Sequence, residues 1–247
     1  MAILNQLLSF ARCKLSLVDN FTRLRRVKLS RIAIVGAIVF LAKQFNYDGI
    51  RLITRQLDKQ MHDRVLAWLE KEVPPHRVRH ILGVETMAEE LAEIYGVDRL
   101  KASQAGLMHD LAKYFKPQKL LKIAREAGLE IDEICQAHPH LIHADVSAIV
   151  ARQEFGVEDP EILTAIANHT LGNPGMNPLS CILFVADTLE PNRGDTPELE
   201  QLRQISYQNL YQAVWLSCDY ALKYLLDTRN LIHPRTIATR NWALRKS

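Results

Sequence analysis

Residues 105–113 read Ala-Gly-Leu-Met-His-Asp-Leu-Ala-Lys, and they place His109 and Asp110 side by side in an apolar helical pattern. Packing gives no reason for this doublet, because a buried polar group without a partner costs free energy. Metal binding does give a reason. If the doublet lies on a helix, its side chains point about 100° apart, so both can bind one ion only over their shared edge.

Four more candidate ligands lie beside apolar helical patterns, namely His80, His143, His169 and Asp187. Asp187 is the clearest of them, because an isolated carboxylate in an apolar helix is costly unless it is paired or metal-bound. Mixed nitrogen and oxygen ligands favour iron, manganese, cobalt or zinc over magnesium or calcium. Six ligands are more than one catalytic ion needs, and they suit two ions bridged by a carboxylate. Such a pair of ions can catalyse a displacement at phosphorus.

Two of these histidines also fit ordinary roles. His80 follows Arg77 and Arg79, as a surface histidine would. His169 ends the predicted helix 160–169, where the helix dipole would stabilise an imidazole that binds no metal.

A third histidine, His143, competes with His138 and His140 in one short segment. We prefer His143 because a predicted helix, residues 144–155, continues directly from it, whereas the other two flank a proline in a loop. The remaining histidines are interpreted as ordinary: His62, His76 and His233.

The composition predicts a globular chain. Its 247 residues are 48% apolar, which is enough for one domain with its own core plus an appendage. The four cysteines are widely spaced and form no Cys-x-x-Cys pair, which favours isolated thiols in a reducing, cytoplasmic compartment.

The positive charge is concentrated in the first part of the chain. Residues 1–51 contain nine Lys/Arg and two acids, a balance of +7, so the remainder carries 3 − 7 = −4. A slightly acidic body predicts no nucleic-acid partner.

The basic extension, residues 1–50, contains an apolar run at 32–42 that is too short to span a membrane. Four interpretations stay open: an extension without catalytic role, a weak membrane-surface contact, an organelle-targeting segment, or a true start at Met61.

The body is predicted to be all-α. A helix over 53–72 stops at Pro74-Pro75, and later helices open with a capping residue followed by proline at 159–160, 177–178 and 196–197. No stretch alternates apolar and polar residues long enough to indicate a sheet. We therefore expect a bundle of about eight helices in one domain, residues 53–235.

With these residues assembled, the chain resembles the HD-domain metal-dependent phosphohydrolases, and within them the YqeK-type symmetrical bis(5'-nucleosyl)-tetraphosphatases. Four motifs carry the resemblance. They are His-Ile-Leu-Gly-Val-Glu at 80–85, the 105–113 segment, His-Thr-Leu-Gly at 169–172, and Val-Ala-Asp-Thr-Leu-Glu-Pro-Asn-Arg at 185–193.

The resemblance implies an all-α HD-domain bundle and symmetrical hydrolysis of diadenosine tetraphosphate to two ADP. It also implies two divalent transition-metal ions, with iron preferred over manganese, cobalt or zinc. The implied metal ligands are His80, His109, Asp110, His143, His169 and Asp187. The implied catalytic residues are Asp110, Lys113 and Arg193, and the implied substrate-binding residues are Lys113, Thr170, Gly172 and Arg193.

Two other functions stay open. One is another HD-type nucleotidase or phosphoester hydrolase, because the ligand set specifies phosphoryl chemistry more firmly than the leaving group. The other is a non-catalytic, metal-containing regulatory or RNA-associated protein, although none of the six ligands is missing. A homodimer is also compatible with the sequence.

Overall fold

The computed structural model describes the backbone of residues 48–247 and the side chains from residue 56 onward. The predictions for the basic extension, including its apolar run at 32–42, therefore lie outside the described residues, apart from the start of a helix at Asp48. Residues 59–247 form one compact unit.

The described residues contain helices and no β-strand, which confirms the all-α prediction. The α-helices are α1 Asp48–Glu72, α2 Pro75–Tyr95, α3 Arg99–Met108, α4 Pro117–Glu126, α5 Glu133–Ala137, α6 His143–Phe155, α7 Pro160–Asn168, α8 Pro178–Leu189, α9 Pro197–Ser206, α10 Leu210–Asp227 and α11 Pro234–Leu244. Two short 3₁₀ helices occupy Pro139–Ile142 and Pro191–Arg193. The expected number of about eight was too low for this part of the chain, because elements as short as α5 carry too few residues to show a helical period.

Side-chain caps mark several helix starts where the sequence predicts them. Asp98, Asp159, Asn177 and Thr196 each accept a hydrogen bond from a backbone N–H in the first turn that follows. These caps satisfy amide groups that have no partner within the helix. The starts of α3, α7 and α8 are therefore set by local sequence.

Helix α8 is central to the compact unit. It packs against α2, α3, α7, α9 and α10, and Ile182, Leu183 and Val185 on it are fully buried. The core also includes Ala243 on α11, so it extends beyond the predicted domain limit at residue 235.

The His-Asp doublet does not lie within a helix, contrary to expectation. Helix α3 ends at Met108, and the doublet follows it. The next turns use i to i−3 hydrogen bonds, such as Lys113 N–H to the Asp110 carbonyl at 3.1 Å. The Ala112 N–H instead donates to the buried Ser147 hydroxyl at 3.0 Å. The chain thus leaves the α-helical hydrogen-bond pattern directly after the doublet, and both side chains of the doublet face one site.

None of the helices in residues 48–247 combines the length and the apolar character that crossing a membrane requires.

Candidate metal centre

The six predicted metal ligands converge from five parts of the bundle. His80 lies within α2, the doublet follows α3, and His143 is the first residue of α6. His169 directly follows α7, and Asp187 lies in the last turn of α8. Five of the six are buried as whole residues: His80, His109, Asp110, His143 and His169.

Asp110 lies between two groups of imidazoles. Its Oδ2 is 3.5 Å from Nε2 of His109 and 3.9 Å from Nε2 of His80. Its Oδ1 is 3.1 Å from Nε2 of His143 and 3.6 Å from Nε2 of His169. Each carboxylate oxygen therefore faces its own pair of nitrogen atoms, an arrangement that would allow Asp110 to bind two ions with one oxygen each.

Asp187 adds a second carboxylate to one of these groups. Its Oδ1 is 3.1 Å from Nε2 of His80 and 3.7 Å from Nε2 of His109. We call His80, His109, Asp187 and Oδ2 of Asp110 site A. We call His143, His169 and Oδ1 of Asp110 site B.

The backbone orients three of the four imidazoles. In each of them, Nδ1 donates a hydrogen bond to the carbonyl three residues earlier in the chain. The pairs are His109 with Gly106 at 2.6 Å, His143 with His140 at 2.5 Å, and His169 with Ile166 at 2.7 Å. A proton held on Nδ1 leaves the lone pair of the neutral ring on Nε2, which is the atom that faces the site.

A buried carboxylate that the sequence analysis missed orients the fourth imidazole. Nδ1 of His80 is 2.9 Å from Oε1 of Glu190, which is fully buried. The other oxygen of Glu190 accepts hydrogen bonds from the backbone and side-chain nitrogens of Asn192, at 2.7 and 2.8 Å. Gly83 makes room for this carboxylate, because a Cβ there would lie 2.2 Å from Oε2 of Glu190. The glycine of the 80–85 motif and the glutamate of the 185–193 motif were the available signals.

The nitrogen atoms fit metal ions better than they fit one another. Nε2 of His80 and Nε2 of His109 are buried and have no hydrogen-bond partner. Nε2 of His143 and Nε2 of His169 face each other at 3.1 Å, although both carry lone pairs. Two nitrogen ligands that lie about 2.1 Å from one ion, at a right angle, are about 3.0 Å apart. The donor set therefore fits a metal ion at each site.

The carboxylates of the centre are held in their ionised form. Burial alone would raise the pKa of Asp110, but His109, His143 and His169 keep it well below its usual value. Burial also acts to raise the pKa of Asp187, and the charge of Arg193 with neighbouring imidazoles lowers it well below normal.

The pKa values of His143 in site B and of His109 in site A are shifted in opposite directions. Burial, followed by the charge of Lys113, lowers the pKa of His143 to about 4, so this ring is neutral and able to bind a metal ion. Burial also opposes the charged form of His109, but Asp110 and Asp187 together raise its pKa. A metal ion at site A would take the place of that proton.

Among the described residues, three cationic side chains contact the proposed ligands. Arg193 donates to Asp187 twice, from Nη2 to Oδ1 at 2.6 Å and from Nε to the backbone carbonyl at 2.9 Å. Lys113 Nζ lies 3.2 Å from Nε2 of His143. The sequence analysis missed the third cation, Arg77, whose Nη1 donates to Oδ2 of Asp110 at 3.0 Å.

The two predicted substrate-binding residues of the 169–172 motif, Thr170 and Gly172, have different surroundings. Thr170 Oγ1 is beside site B, 3.2 Å from Nε2 of His143 and 3.1 Å from Nε2 of His169. The Gly172 N–H already donates to the Asn168 carbonyl at 2.8 Å. Gly172 has φ +67°, and a Cβ there would lie 2.4 Å from Thr239 Cγ2, so this glycine allows a close turn. A phosphate contact at Gly172 stays a prediction.

A third group of possible ligands in the described part of the chain, Asp132, Cys135 and His233, has a different role. Asp132 caps α5, and His233 Nδ1 accepts a hydrogen bond from the Arg235 N–H at 3.1 Å to cap α11. The His233 proton must then lie on Nε2, which is 2.6 Å from Asp132 Oδ2. This ring has no lone pair left for a metal ion. The group joins two helix caps.

Comparison with known proteins places these residues in a family. Residues 77–192 match the HD domain. The chain is 37% identical to the symmetrical bis(5'-nucleosyl)-tetraphosphatase of Bacillus subtilis over 182 residues, covering 73% of this chain and 96% of that protein. The protein of the same name from Halalkalibacterium halodurans is 35% identical, and the match also covers 73% of this chain and 96% of that protein. A crystal structure of a predicted HD superfamily hydrolase involved in NAD metabolism from Clostridium acetobutylicum superposes with TM-score 0.72 at 32% identity, covering 75% of this chain and 97% of that one.

Proposed function

The chain belongs to the HD-domain family of symmetrical bis(5'-nucleosyl)-tetraphosphatases, and we propose that it hydrolyses diadenosine tetraphosphate to two ADP at a two-ion centre. The observation that carries the proposal is the position of Asp110, whose Oδ1 and Oδ2 face two different groups of imidazoles. The other five predicted ligands, four imidazoles and the Asp187 carboxylate, lie around Asp110, which supports the proposal. The mixed nitrogen and oxygen donors favour iron, manganese, cobalt or zinc, and we propose iron among them because the family resemblance implies it.

The protein residues have separate roles in this proposal. Site A would hold one ion through His80, His109 and Asp187, and site B the other through His143 and His169, with Asp110 shared. Two bound divalent ions would lower the pKa of a water between them and stabilise charge that develops at phosphorus. The Nδ1 hydrogen bonds would select, in each neutral imidazole, the tautomer that presents the lone pair of Nε2 to the site.

Two cations are proposed to bind the polyphosphate. Lys113 lies beside site B and Arg193 beside site A, so positive charge is present on both sides of Asp110. A tetraphosphate that lies across the centre would meet one cation in each half. Arg193 is the stronger candidate for recognition, because its guanidinium can bind two phosphate oxygens at once.

Symmetrical cleavage follows from attack at an inner phosphorus atom. Water forms a new P–O bond there, and the central phosphoanhydride bond breaks so that ADP leaves. The substrate is symmetrical, so attack in either half gives the same two products. We propose no nucleic-acid partner. A homodimer and a cytoplasmic location stay predictions, as does the domain boundary near residue 50.

Product analysis tests this proposal. The protein, loaded with iron or manganese under anaerobic conditions, should convert diadenosine tetraphosphate to ADP as the sole nucleotide product. Asp110→Asn, which keeps the shape but cannot bridge two ions as a carboxylate, is the matched control. Its rate should fall by more than roughly a hundredfold. A hundredfold is the largest loss that is typical when a residue that only hydrogen-bonds a metal ligand is removed. Formation of AMP and ATP, or a fully active Asp110→Asn variant, would contradict the proposal.

A further inference from the structure

Arg77 contacts the carboxylate that the two proposed ions share. Its Nη1 donates to Oδ2 of Asp110 at 3.0 Å, and the two side chains are 18% and 2% exposed. Arg193 contacts the other carboxylate, Asp187, and Lys113 lies against an imidazole. Arg77 is therefore the cation placed on the bridging group itself.

The helix that supplies a site A ligand also supplies this arginine. Arg77 and His80 are three residues apart on α2, a spacing that places both on one face of the helix. The Arg77 N–H donates to the Pro74 carbonyl at 2.8 Å, so the arginine starts from an ordered first turn. Arg77 and His80 thus reach Asp110 from one rigid element.

Asp110 itself needs to be held, because its side chain leaves a turn and not a helix. A carboxylate can bind one ion with both oxygens or two ions with one oxygen each. Rotation about the last side-chain bond of Asp110 would remove Oδ1 from His143 and His169, and site B would lose its only carboxylate among the six ligands. A charge-assisted hydrogen bond to Oδ2 opposes that rotation.

We infer that Arg77 is a positioning residue that fixes the plane of the Asp110 carboxylate so that each proposed site receives one oxygen. This inference rests on the two-ion centre proposed above. Simple electrostatics predicts the opposite sign, because a fixed positive charge beside the centre repels cations. If Arg77 acted only through its charge, its removal would strengthen metal binding. If Arg77 positions Asp110, its removal weakens binding at site B.

Manganese binding to the full-length protein separates these two effects without an activity assay. Arg77→Met removes both the donor and the charge, and Arg77→Lys restores a donor and the charge with less reach. Arg79→Met is the matched control, because Arg79 lies on the same helix and is exposed. The number of bound Mn²⁺ ions and their affinities are measured by competition with a chelator. Electron paramagnetic resonance distinguishes a coupled pair of ions from isolated ones.

We expect two ions and a coupled-pair signal for the wild-type protein and for Arg79→Met. Arg77→Met should bind the second ion at least tenfold more weakly and show the signal of isolated Mn²⁺. Arg77→Lys should recover part of the coupled signal, and it also serves if Arg77→Met fails to fold. Wild-type or tighter binding of two coupled ions by Arg77→Met would overturn the role of Arg77 but not the two-ion centre. If Arg77→Met does not fold, the same result with Arg77→Lys would overturn that role. Fewer than two ions on the wild-type protein would overturn the two-ion centre and the role of Arg77 with it.

Discussion

Replacing Glu190 by glutamine should weaken metal binding, although the new side chain has the same shape. Oε2 of Glu190 accepts two hydrogen bonds from Asn192, so the single oxygen of the glutamine would take that position. Its NH₂ group would then face Nδ1 of His80, 2.9 Å away in the native protein. Two donors cannot share a hydrogen bond, so His80 must move its proton to Nε2 or leave the contact unmade.

Either outcome lowers the affinity of site A. Losing a buried charge-assisted hydrogen bond costs about 1.5–3 kcal/mol, which matches the roughly tenfold to hundredfold loss of affinity seen for partners of metal ligands. Chelator competition on the cobalt or manganese protein should show one weakened ion of the two. Glu198→Gln is the control, because the Glu198 side chain is 52% exposed. Two ions of wild-type affinity on Glu190→Gln would refute the argument that Glu190 sets the tautomer of His80.

Three further predictions concern other parts of the centre. His143→Ala should lose the site B ion in metal analysis, whereas His138→Ala and His140→Ala should keep both ions; the reverse would mean that another histidine of this segment is the ligand. Arg193→Lys should lower catalytic efficiency towards diadenosine tetraphosphate by roughly tenfold to a hundredfold, and an equal loss on a simple aryl phosphodiester would mean that Arg193 acts through Asp187. The metal-free protein should lose stability as the pH falls from about 6.5 to about 4, because burial lowers the pKa of His143 from 6.5 to about 4 and the unfolded chain takes up that proton first. His109, whose pKa is raised, acts in the opposite direction above that window. Denaturant titrations should therefore show a smaller acid loss for His143→Asn than for the wild type, by on the order of 3 kcal/mol, and equal losses would contradict the burial argument.

Helix starts were predictable because their signals are local, and local signals also pointed to the proposed metal ligands. Asp159 and Asn177 each precede a proline, and a capping side chain followed by proline favours a helix start. Asp187 was recognisable because a carboxylate has no place on an apolar helix unless something binds it. In both cases, a few neighbouring residues contain the physical reason.

The residues that support the ligands were not predictable in this way. Arg77 lies in a basic stretch that is typical of a solvated surface, and only the packed structure shows its contact with Asp110, 33 residues away. Glu190 precedes a proline in a loop, yet it is fully buried against His80, 110 residues away. The position of the doublet past the end of α3 also depends on a distant group, because the Ser147 hydroxyl accepts a hydrogen bond from the Ala112 N–H.

Anomalous diffraction from crystals of the metal-loaded protein tests the two-ion centre most directly. Data collected at the absorption edge of the bound metal should show two peaks. One peak should lie among His80, His109 and Asp187, the other between His143 and His169, and both should be in contact with Asp110. A single peak chelated by both oxygens of Asp110, or a peak at Asp132, Cys135 and His233 in place of these two, would contradict it.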